Sequence, residues 1–185
     1  LGEKIISNIS KKTAIIIVVN NSYEKVKKKY KKNNAITVFK VDVSNIKELD
    51  FFLKVSIKKY LNNIKGIILN HAKTTKKNNL FYSQEAELVF KTNYGSCSNI
   101  FSFFTKLNKK LNSNLPLRVV VILTNSIKTL NASNIHYVSS KNALKSLSNY
   151  YSKKFANKMI INNVYPGLMK SSLTELRFNA VKKEI

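Results

Sequence analysis

Tyr137 and Lys141 stand four residues apart in the run Tyr137-Val138-Ser139-Ser140-Lys141. On a helix that spacing puts both side chains on one face, about one turn apart. An ammonium held beside a phenol favours the phenolate and draws down a pKa that starts near 10, so the phenol can exchange a proton near neutral pH. Tyr137 is then an acid suited to ketone reduction. Spacing alone is thin support, because lysine and tyrosine are abundant in this chain, and the weight of the pair comes from its surroundings.

Those side chains need a scaffold, and hydrophobic periodicity supplies one. Gly2 to Lys12 carries Ile5, Ile6 and Ile9 at helical spacing, and Ala14 to Val19 is a β-branched run short enough for a buried strand. Ser22 is expected to cap a lysine-rich helix reaching about Lys32, followed by a strand from Ile36 to Val41. Asn45 to Leu61 has a helical pattern through Ile46, Leu49, Phe52, Leu53 and Ile57, and Gly66 to Asn70 reads as a strand. A polar loop near Thr74 to Asn79 leads to a long helix from about Ser83 to Leu111 and a strand from Arg118 to Leu123. A helix from about Asn134 to Asn157 and a strand near Met159 to Tyr165 complete the pattern.

Strands alternating with helices predict one α/β domain over residues 1–185, a doubly wound parallel sheet with helices on both faces. Ligands of such sheets sit at the carboxyl ends of the strands. The residues expected there are Asn20-Asn21, Asp42-Val43, Asn70-His71-Ala72, Thr124 and Pro166-Gly167.

Composition narrows the partners. Only Cys97 is a cysteine and only His71 and His136 are histidines, which offers neither an internal disulfide nor metal-ligand spacing and suggests a reducing, cytoplasmic setting. No apolar run approaches the ~20 residues of a membrane span. The net charge of +24 and pI near 10.1 invite a nucleic-acid reading. Against it, nearly all the positive charge is lysine, with arginine only at 118 and 177, whereas phosphate and guanine recognition favours the guanidinium fork. A solvated lysine surface, with Lys27, Lys28, Lys29, Lys31 and Lys32 keeping one helix face wet, is preferred over specific nucleic-acid binding.

Taken together, five segments in order resemble the short-chain dehydrogenase/reductase family along essentially the whole chain. Tyr137-Val-Ser-Ser-Lys141 resembles its Tyr-x-x-x-Lys segment, and Asn70-His71-Ala72-Lys73 its Asn-Asn-Ala-Gly motif. Asp42-Val43 is similar to its adenine-contacting Asp-Val pair, and Thr92-Asn93-Tyr94-Gly95 to its central-helix Asn-x-x-Gly segment. Val164-Tyr165-Pro166-Gly167 with Ser171 resembles the loop that borders the nicotinamide. Three of the four glycines, Gly2, Gly95 and Gly167, fall where this family places glycine.

The resemblance implies a Rossmann fold, a nicotinamide cofactor and a catalytic set of Tyr137, Lys141, Asn93 and a hydroxyl. The family's serine lies thirteen residues before the tyrosine, which selects Thr124, with Ser126 as the neighbouring alternative. Asn93 is implied to organise a water relay to Lys141, and the cofactor to meet Gly2, Asn20, Asn21, Asp42, Val43, Asn70, Ala72, Tyr137, Lys141, Pro166, Gly167 and Ser171. No carboxylate follows the strand ending at Val19, where one would bind the ribose hydroxyl of NAD, so NADP is favoured over NAD.

Departures accompany the likeness. Lys73 replaces a glycine and His71 an asparagine, and His71 is read as a satisfied structural residue. Only Gly2 represents the Gly-rich turn, and the first and last strands have no counterpart, so the chain is expected to be a fragment. Within the family, Thr74-Thr-Lys-Lys-Asn-Asn-Leu-Phe81 leading to Thr92-Asn93 looks most like the 3-oxoacyl-acyl-carrier-protein reductases of fatty acid synthesis. That likeness implies an acidic carrier protein as partner. A homo-oligomer is expected too, paired through helices with Ile100, Phe101, Phe103 and Phe104 on exposed apolar faces. An inactive dinucleotide-fold protein and a short-chain dehydrogenase acting on another ketone or alcohol are the alternatives.

Overall fold

β-branched runs too short for helices pair side by side, and this happens twice. In the computed structural model, which describes residues 1–9, 12–75, 81–107, 116–129 and 134–167, the chain divides into a unit of residues 1–56 and one from residue 57 onward. Both are α/β with parallel strands, as the alternation predicts.

The first unit runs α1 (Gly2–Ile9), β1 (Ile15–Val19), α2 (Tyr23–Tyr30), β2 (Ile36–Lys40) and α3 (Ile46–Phe51), with a wide helical turn at Phe52–Ser56. β1 and β2 are in register from Ile15 beside Ile36 to Val19 beside Lys40. Ile17, Ile36, Val41, Leu49, Phe52 and Leu53 are buried, and the Phe39 and Phe52 rings meet edge to face with centroids 5.4 Å apart. Ser22 does precede α2 but its side chain caps nothing: at φ −96° and ψ 15° it lacks the extended backbone that aims a cap oxygen at the first turn. Asn45 does cap α3, where its Oδ1 accepts from the backbone N–H of Lys47 (3.1 Å) and Glu48 (3.3 Å).

The single helix expected from Asn45 to Leu61 is instead three pieces. After α3 the backbone widens at Phe52–Ser56 and tightens to a 3₁₀ turn at Lys58–Asn63. A wide turn adds a residue and rotates the buried stripe, which a count of 3.6 residues per turn does not anticipate.

In the second unit β3 (Gly66–Leu69), β4 (Leu117–Ile122) and β5 (Met159–Val164) form a sheet of order β3-β4-β5. The helices are α4 (Gln84–Phe90), α5 (Ser96–Leu107), α6 (Ser126–Thr129) and the twenty-residue α7 (Ile135–Lys154), with a wide turn at Lys91–Gly95 joining α4 to α5. The central strand turns Leu117, Val119 and Val121 into a core shared with Val89, Phe101, Phe104, Leu144 and Met159. Gly66 permits close strand approach, since a Cβ there would stand 3.3 Å from the Arg118 carbonyl.

Ile100, Phe101 and Phe104 are buried, and so do not form the exposed apolar face expected of them. The ring of Phe101 packs against Tyr151 of α7 at 5.1 Å, so this face of α5 is spent on its own core. Asn45→Ala should lower stability by about 1 kcal/mol in urea unfolding followed by circular dichroism. An unchanged midpoint would mean that the cap carries no load.

Candidate active site

α7 starts where Asn134 fixes it. Its Oδ1 accepts the Tyr137 backbone N–H at 3.0 Å, while Nδ2 donates to the Thr75 carbonyl at 3.3 Å and to the Thr75 hydroxyl. Tyr137 thereby sits in the first turn, partly buried, with Thr124 from the end of β4 hydrogen-bonded to its phenol. Thr124 Oγ1 also accepts the Ser126 backbone N–H at 3.3 Å. Of the two hydroxyl candidates, then, the structure brings Thr124 to Tyr137, and Ser126 begins α6.

Lys141 lies one turn along α7, only 2% exposed, and its Nζ donates to the Ile122 carbonyl at 2.9 Å. Burial draws its pKa down to about 8, with Cys97 a smaller opposing influence. The Tyr137 phenol is shifted the other way, above its usual value, because burial outweighs the hydrogen bond with Thr124. This corrects the expectation that Lys141 lowers the tyrosine. The ammonium is turned to a strand carbonyl, and burial moves the lysine toward neutrality.

Asn93 occupies the wide turn between α4 and α5 and is fully buried. Its Oδ1 accepts the Lys73 N–H at 2.7 Å, and its Nδ2 donates to the Lys73 carbonyl at 2.8 Å and to Ser140 Oγ at 2.9 Å. Ser140 Oγ in turn donates to the Tyr137 carbonyl at 2.8 Å. Asn93 therefore meets α7 at Ser140, the residue before Lys141. Sequence reasoning passed over Ser140, although it lies inside the Tyr-x-x-x-Lys run. It also passed over Ser96, whose Oγ is 2.7 Å from His71 Nε2. His71 is held neutral, its pKa pushed down to about 4 by burial first and by the charge of Lys141 second.

The other candidates lie at strand ends. Asn70 and Ala72 are exposed after β3. Beyond β5, the Pro166 carbonyl accepts the Asn125 N–H at 3.0 Å, and Gly167 opens onto space, with nothing within 4 Å of a Cβ built there. These positions stand just past the carboxyl ends of the strands, where ligands of parallel α/β sheets bind.

In the first unit Gly2 opens α1, and Asn20 and Asn21 follow β1. After β2, Asp42 Oδ1 accepts from the Ser44 N–H (2.9 Å) and hydroxyl (2.6 Å), and the Asp42 N–H donates to Glu48 Oε1 at 2.9 Å. A carboxylate offers about four lone-pair sites, so Asp42 retains capacity for a ligand. Val43 beside it is half-buried, and Ser171 lies outside the described residues. Among the described residues no three His, Cys, Asp or Glu gather to hold a metal, and no helix is long and apolar enough to cross a membrane.

The lysine makes stability depend on pH. Between pH 8 and 10.5 the unfolded chain holds this proton and the folded one does not, so stability rises with pH across that window and the burial penalty is complete below it. Relative to the parent, Lys141→Met should be more stable at pH 7 than at pH 10.5 by on the order of 3 kcal/mol. Equal differences at the two pH values would show that the ammonium is not desolvated.

A family model described as short chain dehydrogenase matches residues 1–182. No curated protein matches the chain. Among solved structures, a 4-hydroxyisoleucine dehydrogenase mutant complexed with NADH and succinate is similar at TM-score 0.82 and 20% identity, over 96% of this chain and 73% of that one. A 3-ketoacyl-(acyl-carrier-protein) reductase from Brucella melitensis complexed with NADH is similar at TM-score 0.76 and 15% identity, over 93% and 72%. An ElxO variant with NADPH bound is similar at TM-score 0.78 and 15% identity, over 98% and 74%. At such identities these three show the shared fold.

Proposed function

The chain belongs to the short-chain dehydrogenase family, and from that premise we propose that it reduces a ketone with a nicotinamide dinucleotide, NADPH in preference to NADH. The substrate in this reading is a 3-oxoacyl thioester on acyl-carrier protein. The observation that carries the chemistry is Thr124 at the Tyr137 phenol with Lys141 buried one turn away.

The nicotinamide supplies the hydride when bound. Tyr137 Oη gives its proton to the carbonyl oxygen as that oxygen gains charge, and its raised pKa keeps the proton in place until then. Thr124 Oγ1 donates a hydrogen bond to the same oxygen. Lys141, with a pKa of about 8, can exchange its own proton near neutral pH, as a group that reprotonates the phenol must. Asn93 holds the α7 turn on which both residues ride.

Cofactor and substrate preferences rest on charge and likeness. Asn20 and Asn21 bring no carboxylate to repel a ribose phosphate, and the lysines of α2 make the neighbouring potential positive. Gly2, Asp42, Val43, Asn70, Ala72, Pro166, Gly167 and Ser171 are assigned to the cofactor by the family resemblance. A net charge of +24 suits encounter with an acidic carrier, and the Brucella melitensis reductase shares the fold.

The test is loss of nicotinamide absorbance when the full-length protein meets acetoacetyl thioester, with NADPH and NADH in parallel. Tyr137→Phe should cut turnover by at least about 100-fold and leave cofactor affinity nearly intact. Lys141→Ala should weaken both. Turnover insensitive to Tyr137→Phe would remove the assignment, and absence of both turnover and nicotinamide binding would point to an inactive member of the family.

A further inference from the structure

We propose that His71 and Ser96 are positioning residues for the Tyr137–Lys141 pair: a hydrogen bond from the imidazole to the Ser96 hydroxyl locks the wide turn that carries Asn93, and Asn93 in turn places Ser140 between Tyr137 and Lys141. The structural part stands on this geometry alone, and the kinetic part rests on the reductase reading above.

In the wide turn the Ser96 backbone N–H reaches back five residues to the Lys91 carbonyl. An α-helix would give that N–H to the residue four back, Thr92. The Ser96 side chain makes the substitution, its Oγ donating to the Thr92 carbonyl at 2.6 Å. A carbonyl only accepts, and at 2.6 Å it outcompetes the Cys97 sulfur at 3.9 Å, so the one hydroxyl hydrogen of Ser96 goes there. Toward His71 Nε2 at 2.7 Å, Ser96 Oγ therefore accepts, and the imidazole must carry its hydrogen on Nε2.

The loop after β3 is thus fastened to the wide turn twice. His71 holds its end at Ser96, and Lys73 holds its middle through both hydrogen bonds to Asn93. Asn93 then spans to Ser140, fully buried on α7 and bonded to the Tyr137 carbonyl. Without the His71–Ser96 bond, Asn93 still joins the turn to Lys73 and to Ser140, but the turn loses its hold on the end of the loop and can shift. Misplacement of about 1 Å is enough to slow a reaction by as much as about 100-fold. The histidine that stands where the family resemblance expects asparagine is accounted for by its serine partner.

Nitrogen-15 spectra of the full-length protein should show His71 as the Nε2–H tautomer, and Ser96→Ala should shift the Asn93 side-chain amide resonances. The Nδ1–H tautomer, or unmoved Asn93 resonances, would overturn the proposal, and neither readout needs turnover. In acetoacetyl thioester reduction, His71→Leu and Ser96→Ala should each lower kcat by about tenfold with the KM for NADPH little changed. His71→Gln, which keeps a donor, and Ser96→Thr, which keeps the hydroxyl, should recover most of the rate. The double variant His71→Leu/Ser96→Ala should be no slower than the slower single variant, because both remove one bond. Additive losses, or Ser96→Thr as slow as Ser96→Ala, would count against the lock. An unsubstituted protein without turnover would sink the reductase reading while the spectra still decide the tautomer.

Discussion

A buried carboxamide must be satisfied, and Asn93 is satisfied by three hydrogen bonds to two other segments of the second unit. Burying such a group unpaired costs about 1–3 kcal/mol, so the loop after β3 and the first turns of α7 are not free to choose their distance from the central helix. The wide turn that brings Asn93 there breaks the regular helical ladder between α4 and α5, and the Ser96 hydroxyl repairs the break at the Thr92 carbonyl. Tyr137 and Lys141 inherit their places from this arrangement through Ser140.

The strands and the outer helices were legible because their signals are local. β-branched runs such as Ile15 to Val19 and Val119 to Val121 are too short for helices and too apolar for loops. The wide turns were not legible, since Phe52–Ser56 and Lys91–Gly95 have ordinary helical composition and differ only in which carbonyl each N–H finds. The family resemblance, with its thirteen-residue offset, pointed to Thr124 and left Ser126 open. The contact with the Tyr137 phenol, which no spacing rule contains, separates the two. Ile100, Phe101 and Phe104 misled for a related reason, because an apolar helix face looks the same in sequence whether its own sheet or another subunit covers it.

Electrostatics were the least legible part. Four-residue spacing correctly put Lys141 one turn from Tyr137, yet it says nothing of how deep the lysine lies or which acceptor its ammonium takes. With the Ile122 carbonyl as that acceptor and almost no exposure, desolvation dominates the lysine. The same burial keeps His71 neutral, so the imidazole adds no second positive charge beside the ammonium.

The two shifts oppose each other in a way that bears on direction. A phenol above its ordinary pKa keeps its proton at neutral pH, and a protonated phenol is the form that ketone reduction consumes. Alcohol oxidation would need the phenolate, which burial disfavours. The lysine at about 8 complements this, since it is charged often enough near neutrality to return a proton and labile enough to release it. Within the proposed chemistry, the phenol that burial keeps protonated is the form that donates to a substrate oxygen, and Thr124 at that phenol is placed to steer the donation.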